Sequence, residues 1–182
     1  MPVIAPYQDG ASPEQERIAE VIRARRGGKL INIDRMLLHS LPFAEGYNLL
    51  LPKVRGGLAL ADRYRELLIC ATAQLTGAAY EVHHHSPVFL KAGGSQAQLD
   101  ALKTIEQALS SPLFDEKERA LLQFALESTR SVAIRPQTMS ELQTRFPGAQ
   151  SIIEIVSVVS VYNMVCRIVV SLGVEIESVE SV

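Results

Sequence analysis

Cysteine is scarce in this chain, with only Cys70 and Cys166 among 182 residues. Two thiols cannot build a disulfide framework, and neither has the closely spaced partner of a zinc site or a dithiol redox pair. A reducing cytoplasm is the compartment they suit. An excess of one charge is lacking too: the formal net charge is −2, and no Lys/Arg stripe carries interleaved aromatics. Nucleic-acid binding is therefore not expected. The first ten residues hold no basic stretch followed by an apolar one, which excludes a signal peptide among them. Sustained apolar–polar alternation is missing, as are internal repeats, low-complexity segments and linkers, so neither a sheet protein nor a multidomain chain is indicated.

Helical signals fill the space that these absences leave. Residues 1–12 read as an irregular arm, and residues 13–182 as a single all-α domain, a length sufficient for one well-filled core. Pro13 opens a helix to about Arg26, with Glu14 and Glu16 near its positive end and Gly27-Gly28 to stop it. Leu30 to Ser40 and Pro42 to Val54 read as two further helices. Asp62 is placed to cap a helix running to Leu75, and Ala78 to Ala92 forms the next, with Pro87 expected to kink or interrupt it. Ser95-x-x-Gln98 and Asp115-x-x-Glu118 are capping boxes ahead of apolar-periodic runs. Pro136 begins a short helix that Pro147-Gly148 closes.

Ser151 to Leu172 is nearly long enough to cross a bilayer. Glu154, Asn163 and Arg167 interrupt it, however, and charges in lipid are costly. It therefore reads as a helix buried in the protein or against another subunit, which makes a homo-oligomer the expectation and a membrane span not. Tyr162 and Asn163 within it need polar partners, supplied by an internal or intersubunit hydrogen bond.

The chemistry concentrates in R-E-L-L-I-C-A-T-A-Q-L-T-G-A-A-Y-E-V-H-H-H, Arg65 to His85. Glu81 and His85 are four apart and share a helical face. Glu66 is too far along a straight helix to reach them, at about 1.5 Å per residue. Gly77 can end one helix and let the next fold back, bringing Glu66 opposite the pair. Two carboxylates and an imidazole would then share one site, and both carboxylates favour the imidazole's cation. The plainer readings are a surface Glu66 paired with a neighbouring arginine and an ordinary solvated i,i+4 pair. His83, His84 and His85 point about 100° apart and cannot converge on one ion, so no metal is expected. Cys70, one turn from Glu66, is in a setting that opposes thiolate formation, and Cys166 reads as an inert core thiol.

This run resembles the carboxymuconolactone decarboxylase / alkylhydroperoxidase superfamily, whose core is all-helical. Its thiol peroxidase branch carries a glutamate, a C-x-x-C pair 12 and 15 residues later and a histidine at 19; the corresponding positions here are Glu66, Ala78, Glu81 and His85. Both cysteines are missing. The decarboxylase branch has glutamate at the second cysteine's position and keeps the histidine, which matches Glu81 and His85. L-L-H-S-L-P at Leu37 to Pro42, Y-E-V-H-H-H at Tyr80 to His85 and V-Y-N-M at Val161 to Met164 resemble stretches of an uncharacterised decarboxylase-like subgroup, with Val82 where that subgroup often has tryptophan. The likeness covers roughly half the chain.

The resemblance implies Glu66, Glu81 and His85 as catalytic residues, with substrate contacts from His39, Tyr80 and His84. It also implies a trimer or hexamer, and a cofactor-free lyase or isomerase acting on a small carboxylated lactone or enolisable acid, as in aromatic catabolism. Two rival expectations stand beside it: an alkylhydroperoxidase-like antioxidant protein, which needs a reactive thiol, and a non-catalytic helical oligomer that binds a small molecule.

Overall fold

A computed structural model of the chain describes residues 2–178. Met1 of the expected arm and residues 179–182 of the expected domain lie outside the described residues. Ten α-helices and one short 3-10 turn make up the regular structure, with no strand among the described residues. By its contacts the chain forms two compact units: the segment up to Gly57 together with the chain from Val169 onward, and Leu58–Ile168.

The first unit holds α1 (Pro13–Arg25), α2 (Asn32–Leu37) and α3 (Leu41–Gly56). Ser12 caps α1 by accepting from the Gln15 N–H, which satisfies one of the orphan donors of its first turn. Residues 2–12 contain no helix, yet they are tied down: Tyr7 is buried and its amide donates to the Arg35 carbonyl. α2 is shorter than the apolar phasing suggests, because Asp34 turns back to accept from the Ile31 amide and so fixes the helix start late. α3 passes through Pro52 without a break.

The second unit holds the site. It comprises α4 (Asp62–Thr76), α5 (Ala79–Lys91), α6 (Gln96–Ala101), a 3-10 turn at Leu102–Thr104, α7 (Ile105–Ala108), α8 (Glu116–Ser131), α9 (Pro136–Arg145) and most of α10 (Ala149–Leu172). α4 packs on α5 and α8, and α8 on α9. Both expected capping boxes are present, at Ser95/Gln98 and Asp115/Glu118. Asp62 does not cap α4. It is the first helical residue, Ala61 flanks the helix, and the Asp62 carboxylate pairs with Arg65 at 2.7 Å. Pro87 does not interrupt α5 either, and Phe89 beyond it is fully buried.

The fold-back between α4 and α5 rests on Gly77, whose φ of 68° is left-handed. That conformation costs a side-chain-bearing residue about 1–2 kcal/mol and glycine almost nothing. Its amide and that of Ala78 bond to Gln74 and Ala73 carbonyls at 3.2 and 2.9 Å, closing the end of α4. α5 then runs back along α4.

Candidate functional site

α4 and α5 bring the three acid–base residues together. His85 Nδ1 lies 2.7 Å from Glu66 Oε2, and His85 Nε2 lies 3.5 Å from Glu81 Oε2. All three are buried, with relative exposures of 2%, 2% and 6% for Glu66, Glu81 and His85. Burying such groups is costly unless they are mutually paired, so their juxtaposition is itself a functional signal.

The network assigns the proton positions. An ionised carboxylate only accepts, so the 2.7 Å contact places a proton on Nδ1, which donates to Glu66. Proton exchange with anything else then falls to Nε2. Glu66 is held from its other side: Arg65 Nε donates to its Oε1 at 3.2 Å, and Arg65 in turn bonds Asp62. Glu66 is thus buried rather than at the surface, and it pairs with Arg65 through one oxygen and with His85 through the other. Arg65, only 5% exposed, keeps a fixed positive charge beside the cluster because a guanidinium does not release its proton.

α10 adds a residue that the acid–base spacing does not reveal. The Tyr162 hydroxyl lies 3.1 Å from His85 Nε2, and the two rings meet edge to face with centroids 5.0 Å apart. Tyr162 is completely buried. The sequence signals were the V-Y-N-M run and the need of a buried phenol for a partner; the face of α10 that meets α5 was not legible. Its neighbour Asn163 bonds Thr129 and the Val159 carbonyl instead, an internal arrangement of the kind expected.

The two thiols flank this cluster and are held in the wrong form for nucleophilic chemistry. Burial, reinforced by the Glu66 charge, pushes Cys70 up to about 12. Burial also pushes Cys166 up to about 12, with the Glu81 charge adding to it and a hydrogen bond with Thr76 opposing it. Thiolates are the reactive species, so neither cysteine is primed at neutral pH.

The expected substrate contacts fall in two places. The Tyr80 and His84 rings meet at a tilt of 54° with centroids 4.4 Å apart, on a face of α5 turned about 100° from the Glu81–His85 pair. His83 meets His84 edge to face, and no cluster of metal-ligating residues occurs among the described residues. His39 belongs to the other compact unit, where its Nε2 lies 2.9 Å from the Ala5 carbonyl oxygen.

Several known proteins share this architecture. An uncharacterised peroxidase-related protein from Silicibacter sp. TM1040 superposes with a TM-score of 0.77 at 17% identity, covering 97% of this chain and 91% of that one. The debrominase Bmp8, in a cysteine-to-alanine form in complex with 2,3,4-tribromopyrrole, gives 0.75 at 19% identity, with 97% and 92% covered. A peroxidase-related protein with an alkylhydroperoxidase AhpD core, from Ralstonia eutropha JMP134, gives 0.74 at 17% identity, with 96% and 95% covered. At these identities the likeness is one of fold. No curated protein is detectably similar in sequence. The profile of the carboxymuconolactone decarboxylase family matches residues 43–127, a span that contains Glu66, Glu81 and His85. Residues 43–127 thus match the carboxymuconolactone decarboxylase family, and the fold of the chain is that of the alkylhydroperoxidase-like proteins.

Proposed function

We propose that this protein is a cofactor-free acid–base enzyme of the decarboxylase-like branch, acting on a small carboxylated lactone or related enolisable acid as a lyase or isomerase. The observation that carries the reading is the buried Glu66–His85–Glu81 cluster beside thiols held protonated. In the decarboxylation, the bond between the carboxylate carbon and the ring carbon breaks and CO2 leaves. The electron pair stays on the ring and spreads into the lactone carbonyl as a dienolate. A cationic His85 stabilises that charge, and a proton then passes from His85 or a protonated carboxyl to carbon, forming the new C–H bond. Glu66 fixes the ring through Nδ1, and Glu81 supports the charged form from the Nε2 side. Tyr80 and His84, on the same helix as Glu81 and His85, are the proposed substrate contacts.

The rival reading is an alkylhydroperoxidase-like antioxidant protein, in keeping with the peroxidase-related relatives. Thiol chemistry would have to start from Cys70 or Cys166, and the high values of both speak against it. A non-catalytic binding role would use the same residues without turnover. We further propose a cytoplasmic homo-oligomer, trimeric or hexameric, without a nucleic-acid or membrane partner.

The test is incubation with a carboxylated unsaturated lactone in deuterated water. Release of CO2 with deuterium fixed at one ring carbon is the expected result. Peroxide consumption that needs a thiol, with no CO2 released, would replace this reading with the antioxidant one.

A further inference from the structure

We infer that Tyr162 is a positioning residue that keeps His85 usable in both protonation states, so that the imidazole serves as a reversible acid and base. This rests on the acid–base reading of the site. With Nδ1 committed to Glu66, everything His85 gives or takes passes through Nε2. Two groups face that nitrogen: Glu81 Oε2 at 3.5 Å and the Tyr162 hydroxyl at 3.1 Å. They are not equivalent. An ionised carboxylate accepts only, so Glu81 serves Nε2 when it carries a proton and repels its lone pair when it does not. A hydroxyl donates or accepts by turning about its C–O bond. Tyr162 can therefore donate to a bare Nε2 and accept from a protonated one.

The surrounding groups give that service its setting. Around the ring stand Glu66 with Arg65 and Cys70 on α4, Glu81 on α5, and Cys166 near Glu81 on α10. Arg65 bonds Glu66, and Glu81 Oε2 stands where it can accept from a protonated Nε2. The phenol donor supplies the neutral ring with the hydrogen bond it would otherwise lack in a buried site. When Nε2–H delivers its proton to a substrate carbanion, the N–H bond breaks, a C–H bond forms and the lone pair left on Nε2 is taken up by the Tyr162 O–H. No electrons are gained or lost overall.

The experiment is 15N NMR of the histidine rings across pH, without substrate, in wild type and Tyr162→Phe. In wild type, His85 should show a protonated Nδ1 and an Nε2 that passes between bare and protonated. In Tyr162→Phe, the ratio of neutral to cationic His85 should fall roughly tenfold at a given pH, as expected when a buried acceptor loses its donor. If Nδ1 is not protonated, the acid–base reading of the site fails. If Nδ1 is protonated but the ratio is unchanged, that reading survives and the role assigned to Tyr162 is overturned. Should Tyr162→Phe not fold, the wild-type protein still decides: a slowly exchanging Tyr162 hydroxyl proton coupled to His85 supports the role, and a freely exchanging one overturns it.

Discussion

Glu66 receives Arg65 on one oxygen and His85 on the other, and that division sets what each neighbour can do. The carboxylate is held on both sides and the imidazole is oriented, while the adjacent thiols are suppressed by burial and by the nearby negative charges. The thiols should therefore resist an alkylating reagent at pH 7 in the folded protein and react only on unfolding; labelling followed by mass spectrometry checks this. Glu81→Gln should lower turnover less than His85→Gln, because it weakens support for the ring without deleting it, and steady-state rates of the two variants decide the order. The trio was legible in the sequence because its information is nearly local, a four-residue step on one helix and a glycine that allows one fold-back. Tyr162 was not, since its contact with His85 spans 77 positions and an Ile/Val-rich helix gives no sign of which face meets α5. Arg65 was visible only as a neighbour, with its burial hidden.

Among the elements, the clearest joint is Glu127, which ties α8 to α9. Its carboxylate accepts from the Arg135 amide and guanidinium, the Thr138 hydroxyl and Gln123. Burial pushes the group up, but these hydrogen bonds outweigh it and hold the carboxyl at about 2 against an ordinary 4.5. A depressed folded value means that the stabilisation is present above pH 4.5 and is lost as pH falls toward 2. Glu127→Gln should cost about 1–3 kcal/mol at neutral pH and flatten the acid-unfolding profile in that window, read by denaturant melts at several pH values. Nothing in the sequence marks Glu127, because all its partners but Gln123 lie beyond the end of its own helix. The capping boxes and the glycine stops were legible, being local chemistry. Asp62 was misjudged because it is drawn to Arg65, and α5 runs on past Pro87 without the interruption that was one of the two expectations there.

For the whole molecule, the open question is what covers α10. Its apolar run is long and apolar enough, by length and composition, to cross a membrane, yet Ile153 and Val170 stand 64% and 50% exposed. Those exposed aliphatic side chains are where the proposed subunit contact would form. Light scattering should accordingly return a multiple of the 20.0 kDa chain at micromolar concentration, and a 20.0 kDa particle would refute the proposed assembly. The all-helical class was legible from periodicity and caps, whereas the division into two compact units was not, because the piece after Val169 rejoins the N-terminal segment without any change in composition.

The most direct measurement is the rate of CO2 release from a carboxylated unsaturated lactone by three proteins: wild type, His85→Gln, and the Cys70→Ser/Cys166→Ser double variant. The acid–base account predicts that the thiol-free protein works as wild type does and that His85→Gln loses on the order of 10²–10⁴ in rate. A rate indifferent to His85, or one abolished with the thiols, would contradict it.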